Sequence, residues 1–306
     1  MSEPPILVPS VIVERQTVPT AAWPGRLGPT LGRFARSSSA GAACGLMLLL
    51  IALLAIFADR LAPFDPLAAD YGQTRYPPSA QHLLGTDHLG RDVLSRVLFG
   101  ARVTMLVGVV SVLIGDGIGF AWGLTSGYAG HRFDLVSQRL VEVLMSFPTL
   151  ILALLLLIGL GAGLQTVIVA IAVTRVPGSS RIVRSVVLAV KEYAFVEATR
   201  CIGATPLRIV VRHIAPQCVA PMLVVASLNL GTAIFAESAL SFLGVGIPPP
   251  TPSWGNMLGG VLAEAFRPPW WIVAFPGLAI TITILACNLL GDALRDFLDP
   301  KLRQRV

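Results

Sequence analysis

Charge is scarce in this sequence: Asp, Glu, Lys and Arg make up 13 % of its 306 residues, about half the share of an ordinary soluble domain. Lysine is almost missing, with only Lys191 and Lys301. A nucleotide-cradling P-loop needs GxxxxGK[ST], and these two lysines follow Val190 and Pro300 rather than glycine, so the chain carries no such loop. There are four cysteines (Cys44, Cys201, Cys218, Cys287), with neither metal-ligand spacing nor a disulfide framework. They fall in or beside apolar runs and are expected to be small buried residues. His82 and His88 share a segment without a nearby cysteine or an HExxH pattern, which argues against a metal site. GxSxG is missing too, which removes the support for an intramembrane enzyme. The net charge of +6 could suggest a nucleic-acid partner, but the basic residues cluster between apolar runs, where membrane topology accounts for them.

What the sequence does have is hydrophobic length. Of its residues 54 % are hydrophobic and mean hydropathy is +0.75. A membrane crossing takes about 20 mostly apolar residues, and six such runs occur. The first, 40–58, ends at Asp59-Arg60 without an A-x-A cleavage pattern and reads as an uncleaved span. The others are Ala101–Tyr128, Val141–Leu160, Leu164–Val190, Val219–Val245 and Trp271–Leu290, each bounded by Gly, Pro or charge. The predicted fold is therefore an all-α membrane protein with six transmembrane helices. Residues 1–39, proline-rich and aperiodic, read as a disordered arm. Residues 59–100 form a polar segment long enough to be ordered, and 101–292 form a five-helix core. The fourth run is the weakest, because Arg175, Pro177, Arg181 and Arg184 interrupt it. A central Arg costs about 2.5–3.5 kcal/mol, so this span should pack inside the bundle or lead its arginines out of the membrane. In Gly115-Asp116-Gly117-Ile118-Gly119 the small residues permit close helix contact.

Orientation follows from the basic residues. With the N-terminus cytoplasmic, that side holds Arg15, Arg26, Arg33, Arg36 and the bases of the loops near 132–139 and 175–212 and of the tail, while Arg60, Arg75, Arg91, Arg96, Arg102 and Arg267 lie outside. The excess predicts both termini, the loop 191–217 and the tail 293–306 in the cytoplasm, and 59–100 outside.

The loop 191–217 is unlike a simple connection. Tyr193–Ile202 has helical composition, Gly203 stops it, Thr205 can cap a second helix and Pro206 suits that helix's first turn. The second helix is expected to run from Leu207 to about Ile214 and to end at Pro216. Two short helices at a fixed angle make a rigid knob able to transmit force from a cytoplasmic partner. The same alternation of Arg and aliphatic residues also suits an amphipathic helix lying on lipid headgroups.

Glu197-Ala198-Thr199, Gly203 and Ile214-Ala215-Pro216 resemble the EAA loop of binding-protein-dependent ABC importer permeases. Four further stretches resemble the C-type permease of dipeptide, oligopeptide and nickel importers: Leu84 to Asp92, Ala236 to Gly244, Pro249 to Gly255, and Asn288-Leu289-Leu290-Gly291-Asp292. The resemblance runs from Leu84 to Leu302. It implies a type I ABC importer permease fold in which the loop is a coupling helix seated in a groove of an ATPase subunit. Glu197, Ala198, Thr199, Gly203, Ala204, Pro206, Leu207, Ile214 and Pro216 would form that contact. Thr199 stands where the family often has a second Ala, Ala215 where Leu is common and Gln217 where Asn is common. The implied partners are a second (B-type) permease subunit, two ATPase subunits that carry ATP and Mg, an extracytoplasmic solute-binding protein and membrane lipid. The location is a prokaryotic inner membrane. The chain itself is expected to bind no cofactor and to catalyse no reaction.

Three polar residues inside spans are candidates for the translocation path: Asp116 in the second span, and Asn229 and Glu237 in the fifth. Glu237 could instead satisfy backbone groups near Gly244 and Gly246. An ion-coupled secondary transporter, with Asp116 and Glu237 carrying the ions, is the alternative class. Trp270 and Trp271 suit anchors at the outer headgroup level.

Overall fold

The structure is a computed structural model that describes residues 32, 34, 35, 37–264 and 268–298, with side chains left out at 261–264. Most of the expected arm, Arg267 and the end of the tail lie outside the described residues. Among the described residues the regular elements are helical, apart from an isolated antiparallel bridge between Thr86 and Asp92.

Helix α1 (Ser39–Ile56) starts where the Ser38 hydroxyl accepts from the Gly41 amide at 3.1 Å. Its apolar residues point in all directions and few are buried, so the rest of the chain leaves most of its surface uncovered. After the single turn α2 (Ala58–Leu61), the polar segment leads to α3 (Val93–Ala129), which begins ahead of the apolar run at Ala101. At 1.5 Å per residue α3 is about 55 Å long, so it projects beyond a hydrocarbon core of about 30 Å. Its partner is α6 (Leu164–Val190), and the two pack closely along their length. The reason is a glycine at every fourth position of α3. A Cβ added at Gly115, Gly119, Gly123 or Gly127 would come within 2.3–2.9 Å of Ala172, Ser179, Ser180 or Val187. The backbones thus meet where no side chain fits. Held this way, the arginine-bearing α6 packs inside the bundle, the first of the two outcomes expected for it.

Two expectations about helix continuity fail, both at prolines. The run Val141–Leu160 is not one straight span. Helix α4 (His131–Met145) and α5 (Thr149–Leu160) meet at 89° across Ser146-Phe147-Pro148. Pro148 lacks an N–H and steers Phe147 away from helical dihedrals, so the ladder stops there. Conversely, Pro216 does not end the second loop helix. After α7 (Ala194–Cys201), helix α8 runs unbroken over Pro206–Phe242. Val210–Ile214 take π-helical hydrogen bonding, and Pro216 falls at the return to α-helix, where the shift in register absorbs its missing donor. The knob is therefore one short helix plus the foot of a span.

Helix α9 (Trp254–Glu264) folds back onto α8, with Gly255 and Gly259 against the backbone at Ser238 and Phe242, and α10 (Trp270–Leu298) packs on α8 and α1. Among the described residues five helices (α1, α3, α6, α8, α10) are long and apolar enough to cross a membrane, and the bent pair α4–α5 makes a sixth if taken as one span. The tail expected from residue 293 starts as a continuation of α10 up to Leu298.

At the end of the bundle opposite the knob, the polar segment is ordered by buried charge. The Asp87 carboxylate accepts from Arg91 Nε at 2.7 Å and from the Leu89 and Arg91 amides, and Arg96 Nε lies 3.5 Å away. Asp92 caps α3 through the Ser95 amide at 2.8 Å and lies 2.9 Å from His82 Nδ1. At Gly90, φ is +76° and a Cβ would come within 1.8 Å of the Asp70 carbonyl, so the turn requires glycine on both counts. Hydrogen bonds from Arg102 tie down the α1–α2 corner and hold the exposed Asp59 carboxyl below its ordinary range. Trp271 is not a free headgroup anchor: its indole donates to the Thr86 carbonyl at 3.2 Å. Trp270 is 64 % exposed, and Trp254, 2 % exposed, is a core residue whose indole donates to the Val97 carbonyl.

Candidate functional site

The knob at 191–217 is built on an apolar spine. Val196 of α7 and Ile209, Ile214 and Cys218 of α8 are buried against Leu124 of α3 and Val183, Val187 and Val190 of α6. Burial of a Val or Ile side chain is worth about 1.5–3 kcal/mol, so this contact fixes the knob to the ends of two spans. The Arg200 guanidinium lies 6.0 Å from the Tyr128 ring, a further tie to α3.

The turn between α7 and α8 matches its residues. Gly203 has φ +80°, the left-handed conformation of a helix C-terminus, and its amide donates to the Arg200 carbonyl. The Ala204 amide donates to the Thr199 carbonyl, Thr199 Oγ1 donates to the Phe195 carbonyl at 2.7 Å, and Thr205 Oγ1 accepts from the Arg208 amide at 3.4 Å. Among the residues expected at the contact, Glu197, Ala198, Gly203, Pro206 and Leu207 are exposed, while Ala204, Thr199 and Pro216 are half-buried. Ile214 is fully buried and belongs to the spine rather than the surface. Ile202, Leu207 and Val211 are 83 %, 74 % and 60 % exposed, an apolar crown on the knob. Cys201, expected to be buried, is also exposed here, because the helix turns it away from the spine; Cys218 and Cys287 are buried.

A second polar constellation crosses the bundle at mid-span. Asp116 Oδ1 accepts from Ser179 Oγ at 2.6 Å and from Asn229 Nδ2 at 2.8 Å, joining α3, α6 and α8. Arg175, one turn before Ser179, reaches Thr232 Oγ1 on α8 at 2.8 Å. The structure thus brings Asp116 and Asn229 together and places Glu237 elsewhere. Glu237 is fully buried toward the end of the bundle away from the knob, accepting from Ser241 Oγ at 2.8 Å and facing the hydroxyls of Ser238, Ser253 and Thr104. It does not reach the backbone near Gly244 and Gly246, whose amides bond to Ser241 and Leu240 carbonyls. Glu237 locks α8 to α3 and to the start of α9, which leaves an ion-coupled scheme without its second carboxylate.

Sequence reasoning treated Arg175 and Arg184 only as interruptions of a weak span and missed their partners. Arg184 Nε donates to Asp134 Oδ1 at 2.6 Å, and Ser126 Oγ donates to the same carboxylate, binding α4 to α6 and α3. The usable signal was the density of arginines in an apolar run, each of which needs an acceptor on a neighbouring helix.

Residues 119–304 match the family of binding-protein-dependent transport system inner membrane components. Over 272 residues, 89 % of each chain, the protein is 43 % identical to the glutathione transport system permease protein GsiD of Escherichia coli O1:K1 / APEC. It is 40 % identical over 292 residues (93 % of this chain, 95 % of the relative) to the di/tripeptide transport system permease protein DppC of Pseudomonas aeruginosa strain UCBPP-PA14. To the dipeptide transport system permease protein DppC of Bacillus subtilis strain 168 it is 42 % identical over 264 residues, 86 % of this chain and 82 % of the relative. Among solved structures, a chain of the MetNI methionine ABC transporter in an inward-facing conformation superposes with a TM-score of 0.56 at 21 % identity, covering 67 % of this chain and 97 % of that one, a likeness of fold. A bundle of apolar helices with a capped knob anchored between two of them, together with these matches, places the chain in the family of binding-protein-dependent transport system inner membrane components, the permease subunits of ABC importers.

Proposed function

We propose that the chain is the C-type permease subunit of an importer that passes peptides or similar small solutes, glutathione included, across the inner membrane, driven by ATP hydrolysis in separate subunits. The names of the relatives, which cover dipeptides, tripeptides and glutathione, support the solute class. The knob carries the mechanism. Its apolar crown, Ile202, Leu207 and Val211, is too exposed for a monomer surface to leave uncovered and fits a hydrophobic groove on an ATPase subunit. Its spine ties that crown, itself carried in part by the foot of α8, to α3 and α6, so a displacement of the ATPase moves these spans together. The π-helical stretch at the foot of α8, with a looser hydrogen-bond register, is the joint at which α8 tilts. In this reading both termini and the knob are cytoplasmic, which the arginine distribution supports. The ordered segment with Asp87 and Asp92 faces a solute-binding protein, a B-type permease completes the channel, and ATP and Mg belong to two ATPase subunits.

The test is site-directed cross-linking in membranes of the assembled importer. A cysteine at the exposed Ala198 should capture an ATPase subunit; capture of lipid alone would mean that the knob lies on headgroups and would remove the coupling role.

A further inference from the structure

Asp116 is bound on one side only. Oδ1 takes the Ser179 hydroxyl and the Asn229 amide, while Oδ2 is buried without a hydrogen-bond partner, in a residue 4 % exposed. A carboxylate at mid-span is costly and ordinarily faces a bundle interior or an aqueous cavity. Here Asp116 lies at the floor of a groove of about 240 Å³ between α3 and α8, with its Oδ2 covered, and the other walls are Val112, Leu113 and Phe120 of α3 and aliphatic side chains of α8, with Gly117 beside them. None of those side chains can donate a hydrogen bond. The groove is smaller than the roughly 300–1,000 Å³ of sites that engulf a whole small molecule, so it suits one end of a solute. A Cβ at Gly117 would meet nothing within 4 Å, so the wall next to Asp116 is open. Arg175 is close enough to attract the Asp116 carboxylate, but its hydrogen bond goes to Thr232 and its Nε has no partner, so Oδ2 receives no hydrogen bond from it.

We propose that this groove is a subsite of the translocation path that takes the ammonium group of the solute in transit, with Asp116 as its acceptor and Ser179 and Asn229 as positioning residues that hold the carboxylate. The inference rests on the permease reading above and adds to it a requirement for a primary ammonium. It explains why Asp116 is fixed through one oxygen: the two donors orient the carboxylate and leave Oδ2, covered at rest, for a transient partner, and a monodentate contact holds an ammonium less tightly than a bidentate clamp would.

The test uses Gly117→Cys, and Leu113→Cys as a second position on the groove, in membrane vesicles containing the complete importer. Labelling above that of the parent chain is followed with methanethiosulfonates carrying either a trimethylammonium or a sulfonate group. A fixed carboxylate in a low-dielectric groove concentrates cations by 10-fold or more, so the cationic reagent should react at least about tenfold faster. Asp116→Asn should bring the two rates together. Millimolar dialanine should protect the cysteine, and N-acetyl-dialanine should not. Equal rates in the parent background, a preference that survives Asp116→Asn, no labelling by either reagent, or equal protection or none by the two peptides would each overturn the proposal. Trapping the ATPases with vanadate separates it from the permease reading. Labelling rates indifferent to the nucleotide state, with the charge preference intact, would count against coupling and leave the cation subsite standing.

Discussion

Gly203 is the residue on which the knob turns, and nothing within 4 Å blocks a side chain there. The only barrier to substitution is its φ of +80°, which for an L-residue costs about 1–2 kcal/mol. Gly203→Val should therefore leave insertion and protein level unchanged while lowering solute uptake and binding-protein-stimulated ATPase activity; normal uptake would show that the turn geometry is dispensable. Asp134 carries a different load. Its carboxylate receives Arg184 and the Ser126 hydroxyl, and it is partly shielded. Asp134→Asn leaves the guanidinium without its counter-charge. Allowing for residual exposure, it should cost about 1–3 kcal/mol, read as a lower melting temperature of the detergent-solubilised complex.

At the scale of elements, spine and crown separate stability from coupling. Ile214→Ala opens a cavity in a fully buried contact and should destabilise by about 2–4 kcal/mol. Leu207→Ala, at a 74 % exposed position, should change stability by less than about 0.5 kcal/mol yet weaken the proposed contact with an ATPase subunit. A thermal-shift series paired with co-purification of the ATPase distinguishes the two, and equal effects on both readouts would dissolve the division. Helix existence was legible from apolar runs, and the Thr205 cap and Gly203 stop were legible from residue type. Continuity was not. Pro148 ends a helix and Pro216 does not, because the outcome depends on whether the surrounding backbone can shift its hydrogen-bond register, as it does across Val210–Ile214.

For the whole molecule, the two ends of the bundle are ordered by different means: the knob by aliphatic burial, the opposite end by Asp87, Asp92, Arg91 and Arg96. Asp92→Ala removes the cap of α3 and the partner of His82, a loss of about 1–2 kcal/mol. Trypsin added from that side should then cut sooner at Arg75, whose amide is held by the Asp87 carbonyl; unchanged cleavage would mean that the cap does not support the segment. Motifs at 84–92 and 236–244 were visible as letters, but their work as a charge-locked turn and a hydroxyl nest around Glu237 was not, since Thr104 lies on another helix, far from Glu237 along the chain, and Ser253 reaches it only once the chain folds back.

Composition, the lengths of the apolar runs and the excess of arginine on one side were enough, without coordinates, to establish a multi-span helical protein and to single out 191–217. These are properties of consecutive residues, and the transfer of a segment from water to hydrocarbon depends on little else. Which polar residues meet was decided only by tertiary packing. Asp116, Ser179 and Asn229 come from three helices, and their meeting depends on the glycines that let α3 and α6 touch. No local pattern encodes a contact between residues so far apart in the chain, because it is the summed packing of whole helix faces that brings them to one level.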